Sequence, residues 1–158
     1  MEIERKFLLK SLPDIPCDAM VETEGVYISV SPEVRVRRTH WLEGEKKGQT
    51  NFKLTVKGDG DLSREEFETP VSEEFYNGVV RFAGKTPIRK DYRRYNYEGH
   101  VLECSVVDAG TENEFIYGEV EFLTEEEAKA FVWPFEGAVD VTYDKQYKMK
   151  NYWARTRL

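Results

Sequence analysis

Carboxylates and cationic side chains recur two or four residues apart along this chain. Glu2, Glu4 and Lys6 open it; Arg35 and Arg37, Lys53 and Lys57, Arg64 with Glu66 and Glu68, Lys90 and Arg94, Glu103, and Glu119 with Glu121 follow. Side chains alternate along an extended strand, so the members of each row share one face at separations of about 7 or 13 Å, the scale of a short phosphate chain. Taken singly, each row is the solvated face of an amphipathic strand. Together, in a sheet that closes on itself, the rows can all point into one enclosed space. The interior of an eight-stranded barrel holds one small ligand, and ions survive there only when other ions, water, metal or ligand compensate them. The bases ask for an anion, and the acids ask for a hard, oxygen-loving cation such as Mg²⁺ or Mn²⁺. A triphosphate with its metal meets both demands, and phosphoryl transfer is accelerated by in-line placement and neutralisation of oxygen charge.

Other chemistries lack their residues. His40 and His100 stand alone, and no spacing suits a soft metal. Cys17 and Cys104 form neither a disulfide framework nor a thiolate site and read as reduced thiols, which points to the cytoplasm. There is no nucleophile motif, Walker-type loop or GxGxxG, and the glycines fall at turns. A net charge of −7 argues against a general nucleic-acid surface while permitting a basic pocket. No apolar run nears the length that spans a bilayer, so no membrane partner is expected. With 158 residues, one domain over residues 1–158 is expected, as a monomer or homodimer.

The elements that must position these rows are mostly strands. Alternation predicts strands over Met1–Lys10, Glu33–Trp41, Thr50–Lys57, Arg64–Val71, Pro87–Tyr97, His100–Asp108 and Phe115–Leu123, with a short β-rich run at Val26–Val30. Ser11–Gly25, holding Pro13 and Pro16, reads as a connector with a turn of helix. Ser72 caps a helix that Gly84 ends, Thr124 caps a second, and Asp140–Leu158 ends as a third. The fold class is therefore α+β: an antiparallel barrel with a few flanking helices.

The opening Glu2-Ile3-Glu4-Arg5-Lys6 resembles the E-x-E-x-K signature of the CYTH family, the triphosphate tunnel metalloenzymes. The resemblance continues in order through Val34-Arg35-Val36-Arg37, Phe52 to Gly58, Ser63 to Glu68, Gly118 to Phe122, and Val141-Thr142-Tyr143-Asp144 with Tyr147. It implies an eight-stranded antiparallel barrel forming a tunnel, a bound linear triphosphate and a divalent metal. It further implies that Glu2, Glu4, Glu119 and Glu121 hold or serve the metal and that Lys6, Arg35, Arg37, Lys57 and Lys90 grip phosphate, with Arg64 beside them. Glu66 and Glu68 match acidic tunnel positions, Lys53 and Glu103 share the tunnel faces, and Glu2, Glu4 and Lys6 form the catalytic group. Asp144 and Tyr147 belong to a segment closing one mouth. Two positions depart from the family pattern. Tyr92 stands where an arginine is expected, with Arg94 one step along the same face as its substitute, and Ser105 stands where an aspartate is usual. The expected activity is hydrolysis of inorganic triphosphate, with nucleoside or thiamine triphosphate as slower substrates. A CYTH-type adenylyl cyclase, a non-catalytic polyphosphate or nucleotide binder, and a lipocalin-like barrel with its charges outside remain as alternatives.

Overall fold

A computed structural model describes all 158 residues. Its strands are β1 (Glu2–Leu9), β2 (Ala19–Val30), β3 (Glu33–Glu43), β4 (Thr50–Lys57), β5 (Ser63–Arg64), β6 (Glu66–Pro70), β7 (Ile88–Tyr97), β8 (His100–Val107), β9 (Phe115–Glu121) and β10 (Val139–Asp140). Helix α1 (Glu73–Ala83) lies between β6 and β7, α2 (Glu125–Ala130) follows β9, and α3 (Met149–Arg157) ends the chain after a 3-10 turn at Lys145–Tyr147. No helix is long and apolar enough to cross a membrane.

All pairings are antiparallel, in the order β1-β9-β8-β7-β2-β3-β4-β6. The circle closes because the expected Arg64–Val71 strand breaks at Glu65 and changes partner. Its first part, β5, pairs with Glu2 and Ile3, while its second, β6, pairs with β4. Backbone bonds from Glu4 N–H to the Leu62 carbonyl (3.0 Å) and from Gly58 N–H to the Glu65 carbonyl (2.9 Å) hold the break in place. Further along, β10 takes over the same edge of β1 opposite Phe7 and Leu8. Eight strands thus form the antiparallel tunnel that the alternating rows imply.

One expectation fails here. Ser11–Gly25 is not all connector, because its second half enters β2, a strand of 12 residues paired with both β3 and β7. The prolines occupy only the approach, and Ala19, Val21 and Thr23 alternate as buried residues beyond them. The third helix is likewise shorter than Asp140–Leu158, since Asp140 is still paired with β1.

Apolar packing lies mainly outside the barrel wall. On one flank Phe7, Leu102, Val120, Phe122 and Trp133 pack beneath α2 and the segment after it. Gly118 permits this, because a β-carbon there would come within 2.4 Å of the Trp133 ring. On the other flank Val26, Val36, Tyr76, Ile88 and Val107 meet Tyr152 and Trp153 of α3. Helix α1 begins as its sequence predicts, with Ser72 accepting from Phe75 N–H, and ends at Gly84 with φ 63°. Covering both outer flanks leaves the inward faces free to be polar.

Candidate functional site

The inward face of β1 carries Glu2, Glu4 and Lys6, and its outward face is held so firmly that this alternation cannot slip. Phe7 lies in the outer core, while Arg5 donates to the Ala128 carbonyl (2.5 Å) and the Phe131 carbonyl (3.1 Å) and pairs with Asp140 at 2.9 Å. A one-residue shift would bury Arg5 in the lumen and expel all three site residues. Register then sets Lys6 opposite Glu119 and Glu4 opposite Glu121 across β9.

The tunnel holds a cavity of about 190 Å³, whose wall gathers Glu2, Glu4, Lys6, Arg35, Arg37, Lys57, Arg64, Glu66, Glu68, Lys90, Glu103, Glu119 and Glu121. The reading that puts these charges on the outer skin is thereby overturned. Lys53 and Arg94 do not join the wall. Lys53 sits opposite Pro70, where β6 ends, and its side chain, 48% exposed, reaches Glu68 only at 4.0 Å. Arg94 pairs with Ala19 at the start of β2, leans on the Trp41 ring and meets Glu103 at 4.0 Å. Both lie at the rim because their strands run past the enclosed section. The histidines lie outside: His40 bonds to the Thr50 hydroxyl, and His100 packs edge-on against Phe122 and Phe131.

Two neighbourhoods divide the lumen. Near the β1–β5 seam, Lys57 lies 3.2 Å from Glu2 and 3.3 Å from Glu66, while Arg64 bridges Glu2 (3.4 Å) and Glu33 (3.1 Å). Burial and Arg35 oppose the Lys57 charge, yet Glu4 and Glu2 outweigh them and hold its ammonium above the ordinary range. Lys90, Arg35 and Arg37 also line the lumen, with Glu33 acting on Arg35 and Glu119 on Lys90. Burial drives the Lys90 ammonium well below its usual range, and Arg35 pushes it further. The Arg35 guanidinium and burial together lower Arg37. Buried cations that repel one another, with Arg35 lowering both Lys90 and Arg37, define a place for an anion.

Carboxylate oxygens of Glu2, Glu4 and Glu121 all lie within 4.8 Å of one another. Burial pushes the Glu4 carboxyl well above the carboxylate range, and Glu119 adds to the push. Glu121 is raised by burial and by Glu2. Burial would raise Glu119 too, but the Lys6 ammonium overcomes it and keeps that carboxylate ionised. Acids forced together in this way cannot all carry charge unaided, and an oxygen-liganded divalent cation among them would relieve the conflict. The donor set fits such an ion.

The wall also contains residues that the rows did not single out: Thr23, Tyr27, Glu33, Tyr92, Ser105, Tyr117, Thr142 and Met149. Glu33 shares a face with Arg35 and Arg37, and Tyr117 shares one with Glu119 and Glu121, so alternation could have found both. Thr23 lies in the segment whose sequence reads as a connector, and Tyr27 lies in the short β-rich run Val26–Val30, which carries no charged row to mark its inward face. Tyr117 lies under both ammoniums, with Lys6 at 4.2 Å and Lys90 at 5.3 Å from its ring centre. The expected closing segment does reach the lumen: Tyr147, Lys148 and Met149 line one end, and Lys6 donates to the Tyr147 carbonyl at 2.7 Å.

The chain's resemblance to known proteins points the same way. The chain is 31% identical over 160 residues to an inorganic triphosphatase of Nitrosomonas europaea, covering 94% of each chain. Its fold superposes on the crystal structure of an inorganic triphosphatase with a TM-score of 0.61 and 26% identity, covering 96% of this chain and 93% of that one. A putative adenylate cyclase of Bacillus halodurans shares the fold at a TM-score of 0.54 and 14% identity, over 82% of this chain and 84% of that one. No family model matches.

Proposed function

This chain belongs to the CYTH family of triphosphate tunnel metalloenzymes, and from that premise we propose that it hydrolyses a triphosphate, inorganic triphosphate above all, with Mg²⁺ or Mn²⁺. The observation that carries the reading is the pairing of a tight carboxylate trio, Glu2, Glu4 and Glu121, with a lumenal wall of Lys90, Arg35 and Arg37. Glu2, Glu4 and Glu121 would hold the metal, with Glu119 beside them. When bound it supplies positive charge that offsets the charge of phosphate oxygens.

The chain's own groups do the rest. Arg35 and Arg37 stay charged throughout and can each donate two hydrogen bonds to non-bridging oxygens. Lys6 sits between Glu119 and the Tyr147 carbonyl, so its ammonium is aimed before substrate arrives. Lys57 is committed to Glu2 and Glu66 and orients those carboxylates as much as it attracts phosphate. With Tyr147 to Met149 across one end, the lumen excludes bulk water there and presents the polyanion in line.

Orthophosphate release from tripolyphosphate with Mg²⁺ or Mn²⁺ tests the proposal. Release that disappears in Glu4→Ala is the expected result. No release above that control, or cyclic AMP formed from ATP without phosphate release, would overturn it.

A further inference from the structure

The Lys6 ammonium donates to the Tyr147 carbonyl, so where that carbonyl stands decides where the ammonium points. The carbonyl belongs to a strap, Tyr143 to Lys148, whose two ends are firmly held. Ahead of it Val141 and Thr142 bond to the Lys6 backbone, and behind it Tyr152 and Trp153 of α3 pack in the core. Its middle is not held in the same way. Tyr143 to Gln146 are exposed, and Asp144 caps the 3-10 turn from within by accepting from Gln146 N–H. Asn151 and Arg155, which donate to the Lys145 and Gln146 carbonyls, come from α3 itself. Phe115 meets the Tyr147 ring edge-on at 6.1 Å, a contact that steadies the ring without setting the direction of the carbonyl.

Lys148 supplies the missing tie. Its side chain, 16% exposed, donates to the Gly60 carbonyl and pairs with Asp61 at 3.1 Å, in the loop between β4 and β5. That loop is a fixed point. Gly58 N–H bonds to the Glu65 carbonyl, the Leu62 carbonyl takes Glu4 N–H, and the Leu62 side chain is buried in the flank core. Gly60 holds φ 140°, and a β-carbon there would collide with the Ser63 carbonyl, so the loop keeps one compact course. At the backbone, the Lys148 carbonyl accepts from Asn151 N–H and Tyr152 N–H, both at 3.0 Å, and so starts α3. We infer that Lys148 is a positioning residue for hydrolysis: latched to Gly60 and Asp61, it sets the Tyr147 carbonyl and, through it, the direction of the Lys6 ammonium. The inference rests on the triphosphatase reading and adds to it a residue outside the charged rows. Lys148 and Asp61 both line the lumen, so the rival use of this ammonium is to grip phosphate directly. The latch is favoured because the Asp61 carboxylate offsets the ammonium's charge and repels a polyanion.

Phosphate release from tripolyphosphate and hydrogen exchange, measured on variants whose circular dichroism matches the wild type, test the latch. Lys148→Met should lower kcat/KM by about tenfold, the scale of a slightly misplaced group. Lys148→Arg, which still reaches the carbonyl and the carboxylate, should keep most of the activity, and Asp61→Asn should lower it in part. In a Lys6→Met background there is no ammonium left to aim, so adding Lys148→Met should cost less than about twofold more. Exchange over residues 145–148 should rise in Lys148→Met while β1 stays protected. A full loss from Lys148→Met in the Lys6→Met background, or an Asp61→Asn variant with improved kcat/KM, would show that Lys148 serves phosphate by itself and would overturn the latch. A wild type that releases no phosphate would remove the triphosphatase reading instead, and exchange over 145–148 left unchanged by Lys148→Met would remove the latch whatever the activity.

Discussion

Lys57 Nζ lies 3.2 Å from Glu2 Oε1 with both side chains only 8% exposed, which makes this the most enclosed ion pair of the tunnel seam. It joins β4 to β1 across the break between β5 and β6, where the barrel has the fewest backbone hydrogen bonds. Removing one partner of such a pair strands the other. Lys57→Met should destabilise the protein by about 3–5 kcal/mol, and Glu2→Gln added to it should recover much of the loss. Urea unfolding of the single and double variants measures both. Equal losses in the two would show that the pair is not what joins the strands.

Glu4 and Glu121 should govern metal dependence. Their carboxylates belong to one trio and lie opposite each other across β1 and β9. Glu4→Gln keeps the shape and removes the charge, so the metal concentration for half-maximal turnover should rise by roughly 10–100-fold. Glu121→Gln, nearer the open mouth, should cost less. Titration of phosphate release with Mn²⁺ and Mg²⁺ ranks them, and an unchanged metal requirement in Glu4→Gln would remove that residue from the ion.

Glu66 should give stability an acid-side slope. Burial and its hydrogen bond to Glu2 raise its carboxyl from 4.5 to about 7. The folded chain therefore retains a proton that the unfolded chain releases. Its contribution is fully present below the unfolded value and is lost as pH rises from about 4.5 to about 7. In chelator, the unfolding midpoint of the wild type should fall across that window, and Glu66→Gln should flatten the fall. Parallel curves for the two proteins would place the titration elsewhere.

How far the sequence discloses the site depends on what each face must satisfy. β1 is legible because both of its faces are demanding: Ile3, Arg5 and Phe7 have outer partners, so Glu2, Glu4 and Lys6 can only point inward. β9 is legible for the same reason, with Gly118 making room for Trp133 and Val120 sealed outside. β2 is not. Pro13 and Pro16 mark a connector correctly, but the strand beyond them puts Ala19, Val21 and Thr23 on its buried face, with no charge to announce the lumenal side. Lys53 and Arg94 obey the alternation and still miss the wall, because period two gives the face of a strand and says nothing of where along its length the tunnel ends. The change of partner at Glu65 is tertiary in origin, set by which edges remained open.

Asp108 ties the closing segment to the barrel, and its removal should loosen one end of the tunnel. The residue sits at φ 47° just past β8 and accepts from Arg89 N–H at 3.1 Å, from the Tyr152 hydroxyl, and from Arg157 at 2.7 and 3.1 Å. Helix α3 has no side-chain cap at its start, so this cluster is its principal polar anchor. Burial alone would raise the Asp108 carboxyl, but these donors hold it below the ordinary range. Asp108→Asn keeps a residue tolerant of the left-handed backbone and removes only the charge, whereas Asp108→Ala adds backbone strain. The asparagine variant should lose about 1.5–3 kcal/mol, the worth of a charged hydrogen bond, and the alanine variant more. Hydrogen exchange should rise over residues 149–157 while β1 and β9 stay protected, because α3 opens without the barrel. Turnover should fall with it, since Lys6 takes its aim from the Tyr147 carbonyl just ahead of α3. Protection unchanged in α3 would mean that the apolar contacts of Tyr152 and Trp153 hold the helix by themselves.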